Sequence, residues 1–311
     1  MILKEQLLEL ERLSGHFEAR KQRATERLNS VKGGSWYFAI VGLEGELDEF
    51  ALPPLAKIRR VIEPPGEVEL ASALKNAELF SSIGRYAKLI KYELSVDREA
   101  LGSDQATMNF AWWITSALRI KTLAEILIPA VSDHSWSTIA AVTNGKCYAQ
   151  LLEDVPAVKI INKTVVLTQS DADWIVNNII CLGKLVEFPK FRLAVDSFTT
   201  HHFVNSERMM AATLWSGIEA LFEIQSELRF RLAVVIASVL EPRGISRKEA
   251  YRMIKKLYDI RSKAVHGSPI TNAKISEHIV EVRKLLSRLL CLFIESGKLI
   301  SENDIDELVF C

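Results

Sequence analysis

One segment of the chain combines two side chains that could act together on a substrate. In LYDIRSKAVHG, at positions 257–267, Arg261 and His266 are separated by four residues. A guanidinium stays charged at any ordinary pH, so Arg261 can stabilise negative charge or bind an anion. An imidazole near neutral pH can accept and release a proton. The pair therefore suits proton transfer combined with charge stabilisation.

The helix that must carry this pair places the two side chains differently. At 3.6 residues per turn, Arg261 lies in line with Ile254, Leu257 and other apolar residues, and His266 lies about 140° around the helix. Gly267 and Pro269 favour a helix that ends just past His266. There the helix dipole, helped by Asp259 two turns earlier, favours a charged imidazole.

A purely structural interpretation of the pair is also open. Arg261 would then pair with a buried carboxylate, and His266 would only occupy a helix end. A spacing of this kind is common by chance, and by itself it favours the structural interpretation.

The charge around the pair is strongly basic, although the whole chain has 39 basic and 39 acidic residues. Within 229–263 three acidic residues stand against ten basic ones, which are Arg229, Arg231, Arg243, Arg247, Lys248, Arg252, Lys255, Lys256, Arg261 and Lys263. Such a surplus favours a polyanion, nucleic acid above all. A solvated helix face that happens to be basic would look the same.

The elements that position these residues are almost all helical. Ser170 and Asp173 have the spacing of a capping box ahead of an apolar-periodic run. From there the periodicity predicts helices at about 171–185, 190–223, 226–240, 246–266, 273–297 and 301–309. We therefore predict an all-helical domain at 168–311.

The preceding half reads as a mixed α+β domain at 1–167. The pattern predicts an amphipathic helix at about 2–29, a second helix at 106–129, and strands at 36–42, 90–97 and 159–168. Alternation makes the 90–97 strand half-buried, with Glu93 on its polar side. Asn144-Gly145 is a hairpin signal, and the proline-rich stretch 50–68 predicts a loop with at most edge strands.

Composition excludes several classes of protein. The 311 residues are 49% hydrophobic and 25% charged, as in soluble globular proteins. The N-terminus does not resemble a signal peptide, and no run of 18 apolar residues predicts a membrane span. Four scattered cysteines indicate reduced thiols, so we expect a cytoplasmic protein.

No cofactor-binding motif or metal-ligand pattern stands out. The adjacent pair His201-His202 would project about 100° apart on a helix and has no nearby cysteine or third histidine. We expect Trp112, Trp113 and Trp215 to be core residues rather than platforms for stacking bases. The sequence thus predicts neither a metal nor a cofactor.

Three ordered segments resemble a known family. They are RMMAATLWSGIEALF (208–222), ELRFRLAVVIASVL (227–240) and RKEAYRMIKKLYDIRSKAVHG (247–267). Together they closely resemble the Apea-like branch of the HEPN domains, named for higher eukaryotes and prokaryotes nucleotide-binding. The resemblance is strong over about 208–267 and loose in the surrounding helices.

The resemblance implies a helical bundle that forms a homodimer, with an R-x4-6-H motif from each copy at the interface. Many family members are metal-independent endoribonucleases of toxin–antitoxin and antiphage systems. Carried over, the motif makes Arg261 and His266 catalytic, and Glu219 an acid that orients Arg261 by a bidentate pair. Partners would be RNA and an antitoxin or other regulatory protein, with RNA contacts at Arg252, Lys255, Lys256 and Lys263.

The chain also departs from the family. Ser262 follows the motif arginine, where typical ribonuclease members often have Asn, Asp or His. A serine can still hydrogen-bond to phosphate, and the Apea-like branch often has it. Because some HEPN domains are non-catalytic, a module that only binds RNA, nucleotide or a protein partner is the alternative. The half before residue 168 carries no motif that indicates its role.

Overall fold

The computed structural model describes residues 2–30, 33–154, 164–224 and 227–310. The chain divides into two units. The first comprises Met1–Trp112 with Ala124–Val176, and the second comprises Trp113–Leu123 with Asn177–Cys311. The chain therefore passes between the units three times, inside helices at about 112 and 176 and just after a helix at 123, rather than once at the predicted boundary of 167–168.

The first unit is built from short strands and helices. Its strands are β1 (Ser35–Val41), β2 (Leu43–Gly45), β3 (Glu49–Leu52), β4 (Ala56–Arg60), β5 (Ile90–Asp97), β6 (Ala130–Ser132), β7 (Ala149–Leu151) and β8 (Val165–Leu167). Its helices are α1 (Ile2–Ser30), α2 (Glu67–Ala73), α3 (Ala77–Gly84), α4 (Arg98–Leu101) and the first parts of α5 (Asp104–Thr122) and α6 (Gln169–Leu185). The fold is therefore mixed, with helices and a small sheet.

The main sheet is antiparallel throughout, with the order β3-β4-β5-β1-β6-β7, and β2 pairs with β8 in parallel. The predicted strands at 36–42 and 90–97 are confirmed. The prediction of a loop with at most edge strands at 50–68 was wrong, because β4 pairs on both sides. The prolines that suggested a loop lie between the strands, at 53–54 and 64–65.

Glu93 departs most sharply from its expected place. The alternation along β5 placed it towards solvent, but it is fully buried. Its carboxylate accepts hydrogen bonds from Arg59 Nε, Ser135 Oγ and the backbone N–H of Trp136. An ion pair with several donors offsets the cost of burying the charge. Alternation of polar and apolar residues along a strand looks the same whether the polar side is exposed to solvent or buried in a hydrogen-bonded network.

Three other predictions for this unit need correction. The predicted helix at 106–129 ends at Thr122, since Leu123 has a left-handed backbone (φ 56°). Asn144-Gly145 forms a turn with two positive φ angles in the connection 133–148 between the antiparallel neighbours β6 and β7, which is too long for the tight hairpin that was predicted. Of the predicted strand at 159–168, Val165–Leu167 is a strand, and 159–163 lies outside the described residues.

The second unit is helical wherever the structure describes it. Its helices are the latter parts of α5 and of α6 (Gln169–Leu185), then α7 (Pro189–Thr200), α8 (Glu207–Phe222), α9 (Leu228–Leu240), α10 (Ile245–Val265), α11 (Asn272–Ser296) and α12 (Glu302–Phe310). Helix-favouring patterns predicted six elements here, and the structure confirms all but one closely. Among the described helices, none is long and apolar enough to cross a membrane.

Two details of this unit differ from the sequence-based prediction. The predicted single helix at 190–223 is two helices, separated by a short 3-10 turn at His201–Phe203. The predicted capping box at Ser170 and Asp173 lies two residues too late. Thr168 Oγ1 accepts from the N–H of Asp171, and the Asp171 carboxylate accepts from the N–H of Thr168. Both pairs have the same spacing, so spacing alone could not choose between them.

Candidate functional site

The end of α10 forms as its sequence indicates. The backbone N–H of His266 donates to Ser262 O at 3.0 Å, and the N–H of Ser268 donates to Lys263 O at 3.0 Å. Gly267 has φ +73°, the left-handed conformation that ends a helix and favours glycine. His266 is exposed, whereas the half-buried Ser262 is one turn below it. The imidazole is thus open to solvent at the helix end.

Arg261 points towards the interior of the unit, where it meets Glu219 of α8. Its Nη2 atom lies 3.1 Å from Glu219 Oε1 and 3.3 Å from Oε2. One guanidinium nitrogen therefore contacts both carboxylate oxygens, in place of the two-nitrogen fork expected from the resemblance. Among the described residues, the buried Nε atom of Arg261 has no hydrogen-bond partner. The side chain is 20% exposed, so the guanidinium is not sealed off from solvent.

Glu219 lies in a setting that makes its charge costly. Burial raises the pKa of its carboxyl, and the nearby Arg261 guanidinium opposes that shift. Gly217, two residues earlier, allows α8 to approach α7 closely, since an added Cβ atom would lie 2.8 Å from Ser197 Cβ. The acid is therefore carried on a tightly packed helix, which fixes the position of the arginine.

A stack of rings lies beneath the guanidinium. The Arg261 guanidinium carbon lies 5.4 Å from the centre of the Tyr258 ring, a cation–π distance. Tyr258 meets the fully buried Trp215 edge-on, with ring centroids 5.2 Å apart. The indole Nε1–H of Trp215 donates to His278 Nε2 at 3.1 Å. Trp215 is a core residue, as predicted, while Trp112 and Trp113 are half-buried.

This ring stack was not anticipated from the sequence. Tyr258 stands three residues before Arg261, a spacing that places two side chains on the same helix face. That signal was available, because an aromatic ring one turn from an apolar-face arginine is a natural cation–π partner. His278, on α11, gave no comparable local signal.

Arg208 is a second residue that sequence reasoning missed. Its Nη1 atom donates to Lys263 O at 3.2 Å and Ala264 O at 2.9 Å, and Nη2 donates to Ser268 O at 3.0 Å. A cation here satisfies carbonyls at the end of α10 and complements the helix dipole. Arg208 thereby fixes the turn that carries His266.

We expect Arg208→Lys to loosen this turn, because a lysine cannot reach three carbonyls with a planar fork. Amide exchange at 263–268 should become faster, by an opening free energy of roughly 1–2 kcal/mol. Hydrogen exchange read by mass spectrometry would measure it. Arg288→Lys is the matched control, since Arg288 donates to Leu240 O elsewhere. Unchanged exchange at 263–268 in Arg208→Lys would contradict the role.

Asp259 has a partner other than His266. Arg229 of α9 grips its carboxylate with two nitrogens, Nε at 2.5 Å from Oδ1 and Nη2 at 2.6 Å from Oδ2. A two-nitrogen fork of this kind satisfies both oxygens of the acid. Asp259 thus connects α10 to α9, and its charge is already neutralised by the arginine.

The basic residues proposed for RNA contact lie on the side of α10 that carries His266. Counted from Arg261, Arg252, Lys255, Lys256 and Lys263 lie about 120° to 220° around the helix. Arg252, Lys256 and Lys263 are exposed, and Lys255 lies over the Tyr251 ring at 5.0 Å. In the described part of the chain none of these four forms an ion pair, so their charge faces solvent.

Comparison with protein-family models, with curated proteins and with solved structures finds no match to this chain. The likeness of 208–267 to the HEPN domains therefore remains an expectation from the sequence.

An open groove runs beside the basic face of α10. Its volume is about 1030 Å³, and it lies between α10, the 269–271 turn and the first turns of α11. Its charged and polar lining comprises Arg208, Lys256, Asp259, Lys263, Thr271, Lys274, Glu277, His278 and Glu281. The rest of the lining is apolar, and it is formed by Met253, Leu257, Ile260, Pro269 and Ile270. The groove thus combines charges of both signs with an apolar part, and it is large enough for a ligand of drug or nucleotide size.

Proposed function

We propose that the second unit is a metal-independent endoribonuclease of the HEPN type. The observation that carries the proposal is the end of α10: an exposed His266 stands beyond Arg261, whose guanidinium is positioned by Glu219. The exposed lysines and arginine on the same helix supply charge for the RNA backbone. The protein would act in the cytoplasm, in antiphage defence or as a regulated toxin.

The proposed reaction needs only this chain's own residues. His266 accepts the proton of a ribose 2′-OH, and the freed oxygen attacks the adjacent phosphorus. The bond from phosphorus to the 5′ oxygen breaks, and that oxygen leaves as a hydroxyl after taking up a proton. Arg261 stabilises the negative charge that builds on the phosphoryl oxygens. The products are a 2′,3′-cyclic phosphate and a 5′-hydroxyl end.

We propose that two copies of the second unit complete the site. Arg261 and His266 project about 140° apart on one helix, so a second copy would bring its own pair to the same phosphate. Helices α8, α9 and α10 each carry exposed apolar side chains that a second copy could cover; they are Met209, Phe230, Met253 and Val265. The first unit would then bind a regulatory partner such as an antitoxin.

An RNA cleavage assay in EDTA tests the proposal. A labelled RNA should be cut, and a DNA of the same sequence should stay intact because it lacks the attacking 2′-OH. The 3′ ends should be cyclic phosphates, which resist alkaline phosphatase until acid opens the ring. An intact RNA after prolonged incubation with folded protein would count against the enzyme.

A second candidate function is a non-catalytic module that binds RNA or nucleotide. The groove of about 1030 Å³ beside α10 favours it, since Lys256, Lys263 and Lys274 line that space. In this case RNA or nucleotide would bind without being cut, and Lys256→Glu would weaken binding. Cleavage that depends on His266 separates the two candidates.

A further inference from the structure

A cluster of three possible metal ligands lies in the first unit, far along the chain from the proposed nuclease residues. Asp133 and His134 directly follow β6, and Cys147 stands just ahead of β7. These strands are antiparallel neighbours, with Ser132 opposite Ala149. The backbone N–H of Asp133 donates to Tyr148 O, which extends the pairing past the strand ends. Sheet register therefore brings the three side chains together.

The three ligand atoms are close to one another. Asp133 Oδ1 lies 2.6 Å from His134 Nδ1, and one ligand atom from each of Asp133, His134 and Cys147 lies within 4.8 Å of the others. The carboxylate, the imidazole and the thiol thus converge on one point.

The site has an ordered surround and an open side. The N–H of Tyr148 donates to Asp133 Oδ1 at 3.0 Å, and Ser132 Oγ lies 3.3 Å from Cys147 Sγ. Cys147 is 5% exposed, while Asp133 is 38% and His134 25% exposed at the side chain. A cavity of about 330 Å³, lined by Lys75, Gly145 and Cys147 among others, adjoins the thiol. Hydrogen bonds thus fix the ligand side chains in place, while an ion could still reach them from solvent.

The donor set selects among cations. Zinc takes thiolate, imidazole and carboxylate ligands at about 2.3, 2.0 and 2.1 Å in a tetrahedral arrangement. Ligand atoms around such an ion are roughly 3.5 Å apart. The Asp133–His134 pair, now 2.6 Å apart, must therefore open by roughly 1 Å, and any separation near the 4.8 Å limit must close by about as much or a little more. Calcium and magnesium prefer all-oxygen sites and would leave the sulfur unused.

We propose that Asp133, His134 and Cys147 bind one zinc ion, with the fourth position open to water or another small ligand. The pattern was invisible in the sequence, because twelve residues separate the Asp-His pair from the cysteine and no second cysteine is near. This proposal does not depend on the nuclease activity, which would proceed in EDTA.

Cobalt and zinc binding to the full-length apoprotein test the site. Cobalt should give a tetrahedral visible spectrum and a near-ultraviolet thiolate-to-cobalt band at one ion per chain, and zinc should displace it. Cys147→Ser should abolish the thiolate band. His134→Ala and Asp133→Asn should each raise the Kd for zinc at least tenfold, measured against a competing chromophoric chelator. Cys181→Ser and Cys291→Ser are matched controls and should keep the band.

Two results would overturn the proposal. One is a wild-type protein that binds well under one zinc per chain and shows no thiolate band, in which case the three groups form only a hydrogen-bonded cluster. The other is a band that survives in Cys147→Ser. Because Cys147 is buried, circular dichroism must show each variant folded. If Cys147→Ser fails that check, the more exposed His134→Ala and Asp133→Asn decide, and unchanged zinc affinity in both rejects the site.

Discussion

Replacing His266 by alanine is expected to lower RNA cleavage by about 10²- to 10⁴-fold, the usual contribution of a positioned general base. The fold should be unaffected, because the imidazole is exposed and alanine keeps the backbone bond from residue 266 to Ser262 O. Initial rates on a labelled RNA in EDTA give the measurement, and the melting temperature checks the fold. In cells, expression of the wild type should slow growth, and His266→Ala should relieve that effect.

The matched control is His16→Ala, which removes another exposed helical histidine far along the chain from α10. It should cut RNA at the wild-type rate. Equal rates for wild type and His266→Ala would remove the histidine from the mechanism. Arg261→Ala should also lose activity, by roughly 10²- to 10³-fold, but it leaves the half-buried Glu219 without its cation. The histidine variant is therefore the cleaner test.

The helical unit was the most predictable part of the molecule. The apolar stripe of α10 was assigned correctly around Ile254, Leu257 and Ala264, since all three are buried. Gly267 and Pro269 marked the helix end because few residues can follow a helix there. The contact between Glu219 and Arg261 was expected from the resemblance. Its geometry was not, because one nitrogen rather than two meets the carboxylate.

Contacts between distant segments account for what the sequence did not predict. Arg208 reaches the end of α10 across more than fifty residues, and nothing local distinguishes it from a solvated arginine. Asp259 looked available to His266, yet Arg229 on another helix takes its carboxylate. Glu93 followed a clean alternating pattern and is buried. In each case an arginine from a distant segment of the chain forms the contact, and local sequence patterns carry no information about such contacts.

Acidification from about pH 6.5 to pH 4 is expected to destabilise the second unit strongly. His278 and His201 are each 1% exposed. The pKa of each imidazole is lowered to about 4, by burial in both cases and, for His201, also by the nearby Arg283. Above pH 6.5 both are neutral in the folded and unfolded chain, so stability stays constant. Below it the unfolded chain takes up protons that the folded unit refuses, and stability falls until about pH 4.

Each of these shifts corresponds to up to roughly 3 kcal/mol of unfolding free energy. The hydrogen bonds explain why the folded unit resists protonation. His278 Nε2 accepts a hydrogen bond from the Trp215 indole N–H. A proton on Nε2 would turn the acceptor into a donor, so this hydrogen bond would be lost and the two N–H groups would repel each other. The Nδ1 atom of His278 is buried without a partner in the described part of the chain, so a charged ring could not be satisfied on that side either.

Urea unfolding of the wild type and His278→Gln at several pH values measures this effect. Glutamine can still accept from Trp215 but does not titrate, so the variant should lose about half of the pH dependence that the two histidines cause. Carboxylates also titrate in this range, and the difference between the two proteins cancels their contribution. His201→Gln should remove the other half. An identical slope in all three proteins would show that these histidines do not control the acid response. Because Trp215 supports Tyr258 and, through it, Arg261, the same acid step would also disturb the base of the proposed nuclease site.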